Sequence, residues 1–179
     1  MGFVQTHFIA FGIRQGMSAV VAAWLMGVMG MMSVAGGLAL GALSDRLGRR
    51  DPLAIAYALR GLGLAAWLAV PVAPHRAALI YAGIALIGLS WAATISLTTA
   101  ACADVWGSRA GGGVAGLSLL IMWLGHALGT YLPGLLASAS GGYGAAIALN
   151  TVAAGAAALA IATLAEPSLR RPARLSVPS

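Results

Sequence analysis

Of this chain's 179 residues, 60% are hydrophobic and 8% charged; an ordinary soluble domain carries about 25% charged residues, so too little polar material is present to face water. The net charge of +6 comes from ten arginines and no lysines against four acids, and the arginines sit mostly in short breaks between apolar runs, a topology pattern rather than a nucleic-acid-binding face. The lone cysteine, Cys102, excludes an internal disulfide and any multi-cysteine metal site, and lipid is the expected solvent.

In chain order, the first residues include Gln5, Thr6 and His7 and lack the basic start of a cleaved signal peptide. Residues 2–12 are apolar and helix-like, but at about 1.5 Å per residue they cover only about half of a hydrocarbon core about 30 Å thick. They read as the end of a helix whose first half is missing; a short re-entrant segment is the alternative. Five longer runs follow, at 17–43, 52–70, 77–102, 114–136 and 143–165, each near the roughly 20 residues a crossing helix needs. Arg60 interrupts the second run, Pro52 stands early in it where a missing N–H is harmless, and the turn-formers at 138–142 separate the last two. Strand alternation is absent, and in lipid only helices or closed barrels satisfy the backbone. The expected fold is all-α: a polytopic membrane bundle over 1–166, with five full transmembrane helices and a partial N-terminal one. Residues 167–179 read as a cytoplasmic tail without packed structure.

If the spans alternate, Arg46, Arg49, Arg50, Arg109, Arg170, Arg171 and Arg174 share one side, and only Arg14 and Arg76 take the other. That asymmetry assigns the 44–51 loop and the C-terminus to the cytoplasm, in an inner cell membrane. Tyr57 and Trp106 near one boundary, with Trp67, Tyr81, Tyr131 and Tyr143 near the other, fit the same limits.

Between the first two full spans stands Gly41-Ala42-Leu43-Ser44-Asp45-Arg46-Leu47-Gly48-Arg49-Arg50. This resembles the signature loop of the major facilitator superfamily, in sequence and in its place between two spans. Gly41 lets a neighbouring helix approach, Asp45 can face the positive N-terminus of another helix, Gly48 allows a tight turn, and Arg49 and Arg50 can meet anionic headgroups. The resemblance implies that the loop, with Arg46, latches an inner gate whose helix partner lies in a missing N-terminal six-helix half. Val4-Gln5-Thr6-His7-Phe8, Gly16-Met17-Ser18, Ala22-Ala23-Trp24, Asn150, and Ala103-Asp104-Val105-Trp106-Gly107 with Arg109 are similar to the C-terminal half of monocarboxylate-porter-like carriers. The anion-binding arginine of many such carriers is not carried over, because Gly37 holds its position, and Thr130 follows Gly125 and Gly129 where a proline is expected.

Charges at membrane depth cost about 2.5–3.5 kcal/mol each, so they mark candidate sites. Arg60, eight residues into its span, could line a translocation path or brace the inner gate near Asp104. His126, with Trp123 one turn earlier, could carry a proton, bind solute, or bond a neighbouring helix. His7 carries the same alternatives. Ser90, Thr94 and Thr98 form a stripe at four-residue spacing, facing a polar cavity or bonding their own backbone. Gly37/Gly41 and Gly125/Gly129 read as close-packing positions. No nucleophile–base pair, phosphate loop, metal cluster or cofactor motif is apparent, so enzymatic function is not expected.

The reading is secondary transport, symport or antiport, of a small organic solute by alternating access, with protons as a coupling partner. The chain would be the C-terminal half, or a truncated fragment, of a carrier in a lipid bilayer. A membrane scaffold that transports nothing, and a half-size carrier paired with a second copy of itself, are the alternatives.

Overall fold

The computed structural model describes residues 2–164, and within them the chain is helical with no strand. Six helices follow in order: α1 Gly2–Arg14, α2 Ala19–Leu47, α3 Arg50–Leu68, α4 Arg76–Gly107, α5 Ala110–Ser140 and α6 Gly144–Thr163. The 167–179 tail and its Arg170, Arg171 and Arg174 lie outside the described residues.

Local chemistry sets the helix ends. Ser18 starts α2 by accepting a hydrogen bond from the Val21 amide at 3.2 Å, a standard use of a short hydroxyl side chain. At its far end Gly48 takes φ 88° while its N–H bonds the Ser44 carbonyl, so the tight turn expected at Gly48 is present. Gly107 takes φ 70° and breaks what would otherwise be one continuous rod into α4 and α5. Both glycines stand in the same spacing, Asp45-x-x-Gly48-x-Arg50 and Asp104-x-x-Gly107-x-Arg109. One backbone device thus ends two helices, and a left-handed φ selects glycine at both places.

α2, α4, α5 and α6 are long and apolar enough to cross a membrane. α3 is less apolar, because its 19 residues include Arg50, Asp51 and Arg60. Its ends still lie level with those of its neighbours. Arg50 Nη1 donates to the Leu164 carbonyl beside α6 at one end, and Trp67 Nε1 donates to the Ile80 carbonyl of α4 at the other. Boundaries elsewhere move by a few residues, the largest shift being the end of α4, at Gly107 where 102 was expected.

The core is unequal along the bundle. One large cluster surrounds Trp67, whose indole stacks on Phe8 at 5.2 Å and Phe11 at 5.4 Å and is joined by Leu64, Ile80, Ile84, Ile87 and Ile147. A small second cluster, Leu40, Ala56, Ala93 and Leu97, lies toward the opposite end. α2 and α4 meet backbone to backbone because Gly36 lies directly against Leu89. A side chain at residue 36 would collide with that backbone, which is how small residues set helix spacing in lipid. Among the described residues nothing packs against Gly41 or Gly125: a Cβ at either would meet open space. α5 is the exception to the packing. Its apolar surface is almost uncovered, with Ile121 62% and Tyr131 65% exposed.

Candidate functional site: an arginine cavity between α3, α4 and α5

Arg60 stands between the two apolar clusters, one turn from Ala56 on one side and one turn from Leu64 on the other. Its Nε donates to Ser90 Oγ at 3.3 Å, and its Nη2 donates to Thr94 Oγ1 at 2.7 Å and to the Ser90 carbonyl at 3.3 Å. The acceptors are pre-set. Ser90 Oγ gives its own proton to the Ile87 carbonyl and Thr94 Oγ1 gives its proton to the Ser90 carbonyl, each at 2.7 Å. Those bonds leave oxygen lone pairs facing the guanidinium. Both readings of the hydroxyl stripe therefore meet in one geometry, since the hydroxyls bond their own helix and also face a polar group. Thr98 only does the first, donating to the Thr94 carbonyl at 2.7 Å.

Tyr57, one turn before Arg60, lies under the guanidinium with its ring centre 5.0 Å from Cζ, a cation–π contact. Across the gap α5 presents His126 and Trp123, their rings 5.2 Å apart, while Trp91 of α4 meets His126 edge-on at 6.4 Å. Together Tyr57, Arg60, Trp91, Thr94, Trp123 and His126 bound a cavity of about 260 Å³. That is just below the lower end of ligand cavities, about 300–1,000 Å³. Charge-assisted hydrogen bonds, each worth about 1.5–3 kcal/mol, offset the cost of holding Arg60 at this depth.

Of the residues singled out in the sequence, Arg60, Thr94, Trp123 and His126 come together here. His7 does not. Its Nε2–H donates to the Thr130 carbonyl at 3.0 Å, and its ring packs near Phe3 and Tyr143, each about 5.8 Å away or less. It ties α1 to α5 nearer the opposite end from the arginine loop. Tyr57 and the Ser90 contact escaped the sequence reading, although Tyr57 and Arg60 at i,i+3 on one helix were a usable signal.

The arginine loop lies at the other end of α3. Bracing of Arg60 by Asp104 is not found; Asp104 Oδ2 instead accepts from Arg49 Nε at 2.8 Å. Arg49 Nη1 also donates to Asp45 Oδ1 at 3.2 Å and Ser44 Oγ at 2.8 Å. Asp45 meets Arg49 here because the tight turn at Gly48 folds Arg49 back over it, and its carboxylate stays largely exposed. Arg50 pairs with Asp51 at 2.7 Å. Arg46 is exposed and makes no polar contact among the described residues. The hydrogen bond to Asp104 raises the pKa of Arg49 above its ordinary value despite some burial. Arg49, expected to meet headgroups, is the clasp joining the α2–α3 turn to the end of α4.

A second hollow, about 490 Å³, opens at the far end between α1, α3 and α6 beside Arg14, Trp67 and Tyr143. Arg14 donates to the Gly141 carbonyl there at 3.1 Å and lies over the Tyr143 ring.

Comparison with known proteins fits this architecture. The chain is 31% identical over 161 residues to an uncharacterized MFS-type transporter, YcxA, of Bacillus subtilis (strain 168), a stretch that is 89% of this chain and 39% of that protein. The chain thus spans about two fifths of the length of the curated relative it matches. No solved structure matches it. Residues 2–178 match the profile of the Major Facilitator Superfamily, and with four apolar helices of membrane-crossing length this multi-pass membrane protein belongs to that superfamily.

Proposed function

We propose that the chain forms one six-helix wall of a secondary transporter, carrying a small organic solute past Arg60, Thr94, Trp123 and His126 by alternating access. The cavity between α3, α4 and α5 carries this reading. It gathers a cation, two indoles and an imidazole at mid-bundle, where polar groups are otherwise scarce, and polar groups at that depth mark solute paths. Carriers of this superfamily are built from two six-helix halves with the site between them. The uncovered surface of α5 is suited to meet the other half, whether an N-terminal bundle or a second copy. The imidazole of His126, which packs against Trp91 and Trp123 and has no hydrogen-bond partner among the described residues, would exchange a proton with the solute. Arg49, Asp45 and Asp104 would latch the cytoplasmic side, with the C-terminus on that face.

A solute-uptake screen in vesicles, on the chain together with whatever upstream segment its gene encodes, tests this. Uptake abolished by Arg60→Ala and reduced by His126→Ala is expected. Uptake unchanged in both variants removes the site, and no uptake in any form favours a scaffold.

A further inference from the structure

Of the chain's four acids, Asp45, Asp51 and Asp104 lie at the arginine-loop end, each paired there with Arg49 or Arg50. Glu166 lies outside the described residues. The opposite end carries Arg14 and Arg76 and no described acid. Both arginines stand at the hollow between α1, α3 and α6. Arg14 lines it, held by the Gly141 carbonyl at 3.1 Å and by the Tyr143 ring at 5.5 Å. Arg76 Nη2 donates to the carbonyl of Pro71, on the same rim, at 3.3 Å. Nε and Nη2 of Arg14 have no acceptor among the described residues, and the side-chain amide of half-buried Gln15 beside it has no partner there either. The floor is apolar, formed by the buried Phe11, Trp67 and Ile147. At about 490 Å³ the hollow falls within the range of ligand sites, about 300–1,000 Å³.

We infer that this hollow binds the headgroup of an anionic phospholipid, its phosphodiester on Arg14 and Arg76 and its glycerol portion against Gln15 and the aromatic floor. The position selects a lipid. α1 and α3 end at the hollow and α6 begins there, with Trp67 and Tyr143 beside it, and such aromatic rings stand at headgroup level. The planar fork of Arg14 matches a pair of phosphate oxygens. The charge selects an anionic head. With no described acid at that end, the ammonium of a zwitterionic head would meet two guanidiniums and no carboxylate. The hollow and the Arg60 cavity share no lining residue, so lipid binding here does not depend on what passes Arg60.

Phosphatidylglycerol and phosphatidylcholine of one chain length share the phosphodiester and differ in net charge. Each is titrated onto the full chain in a neutral detergent, and native mass spectrometry counts the lipid bound. An arginine at a membrane surface contributes about 5-fold to holding an anionic lipid, so two should favour phosphatidylglycerol by about 25-fold. Arg14→Gln should lower that ratio about 5-fold, Arg14→Lys should lower it less, and Arg14→Gln combined with Arg76→Gln should bring it near one. Arg46→Gln, at the other end of the bundle, should leave it unchanged. The ratio separates lipid contact from a structural role, since a collapsed hollow would lose both lipids alike. Circular dichroism checks that each variant keeps its helices. If Arg14→Gln fails to fold, Arg76→Gln, at an exposed position, carries the test with the same expected loss. Glycerophosphoglycerol, the same head without acyl chains, should not displace the lipid at millimolar concentration. Displacement would make the ligand a soluble phosphodiester and overturn the lipid assignment. Equal retention of the two lipids, or a ratio unchanged in the folded double variant, overturns it as well.

Discussion

Arg49 and Arg60 stand eleven positions apart in sequence and show the two things a membrane protein can do with one guanidinium. Arg49, at the bundle end, faces two carboxylates and a hydroxyl. Arg60, at mid-bundle, faces two hydroxyls, a carbonyl and a ring. Its hydrogen bonds are better matched to its geometry than its charge is to its neighbours. The contrast separates structure from function. A neutralised arginine clasps two helices and has little left to offer, whereas a hydrogen-bonded arginine without an acid is held rigid and keeps its charge for something else.

The sharpest way to break the contrast is to give Arg60 an acid. Thr94→Asp would put a carboxylate where the hydroxyl now accepts from Nη2 at 2.7 Å. Uptake is expected to fall about 100-fold, with helix content unchanged by circular dichroism. Retained uptake would mean that the charge of Arg60 is not what the cavity uses. The reverse manipulation at the bundle end should do less. Asp104→Asn removes one of the two acids of Arg49, and since both side chains of that pair are about 30% exposed, thermal unfolding in detergent should register a loss of about 1 kcal/mol or less. The loss should shrink further in high salt.

Protonation gives a finer test of the same clasp. Because pairing raises the pKa of Arg49, the stability it confers is fully present below its unfolded-state pKa. That stability is lost only as pH rises through the still higher folded value. Both lie above any working range, so the Asp104→Asn stability difference should not vary from neutral pH to mildly alkaline pH. A difference that shrinks across that interval would mean that another group carries the contact.

The glycines show how much of the fold could be read without coordinates. Composition and run length were enough for an all-helical membrane bundle, and the Asp-Arg loop was enough for the family, because both depend on local chemistry. Which glycine touches which helix depends on relative rotation, and sequence spacing does not carry that. Gly41 matches the signature loop yet faces open space, while Gly36, five residues earlier, lies on the backbone of α4. Gly36→Ala should therefore cost about 1–3 kcal/mol in thermal unfolding, and Gly41→Ala should be near neutral. The site divides in the same way. Arg60, Thr94, Trp123 and His126 were legible because polar and aromatic residues are rare at that depth. The pairing of Asp104 with Arg49 was not, since it needs the α2–α3 turn and the α4 end to meet. The separation of His7 was hidden because it depends on the tilt of α1 against α5.

The central claim is that water and solute reach the arginine cavity from one side of the membrane while the outward faces of the bundle meet lipid. The direct measurement is labelling by a membrane-impermeant, charged methanethiosulfonate reagent, which needs an ionised thiol in water, on a Cys102→Ser background. His126→Cys, on the cavity wall, is expected to react, and Val152→Cys, exposed at mid-length on α6, is expected to stay unmodified. Equal labelling of both, or an inert thiol at residue 126 beside a reactive one at residue 152, would contradict the account.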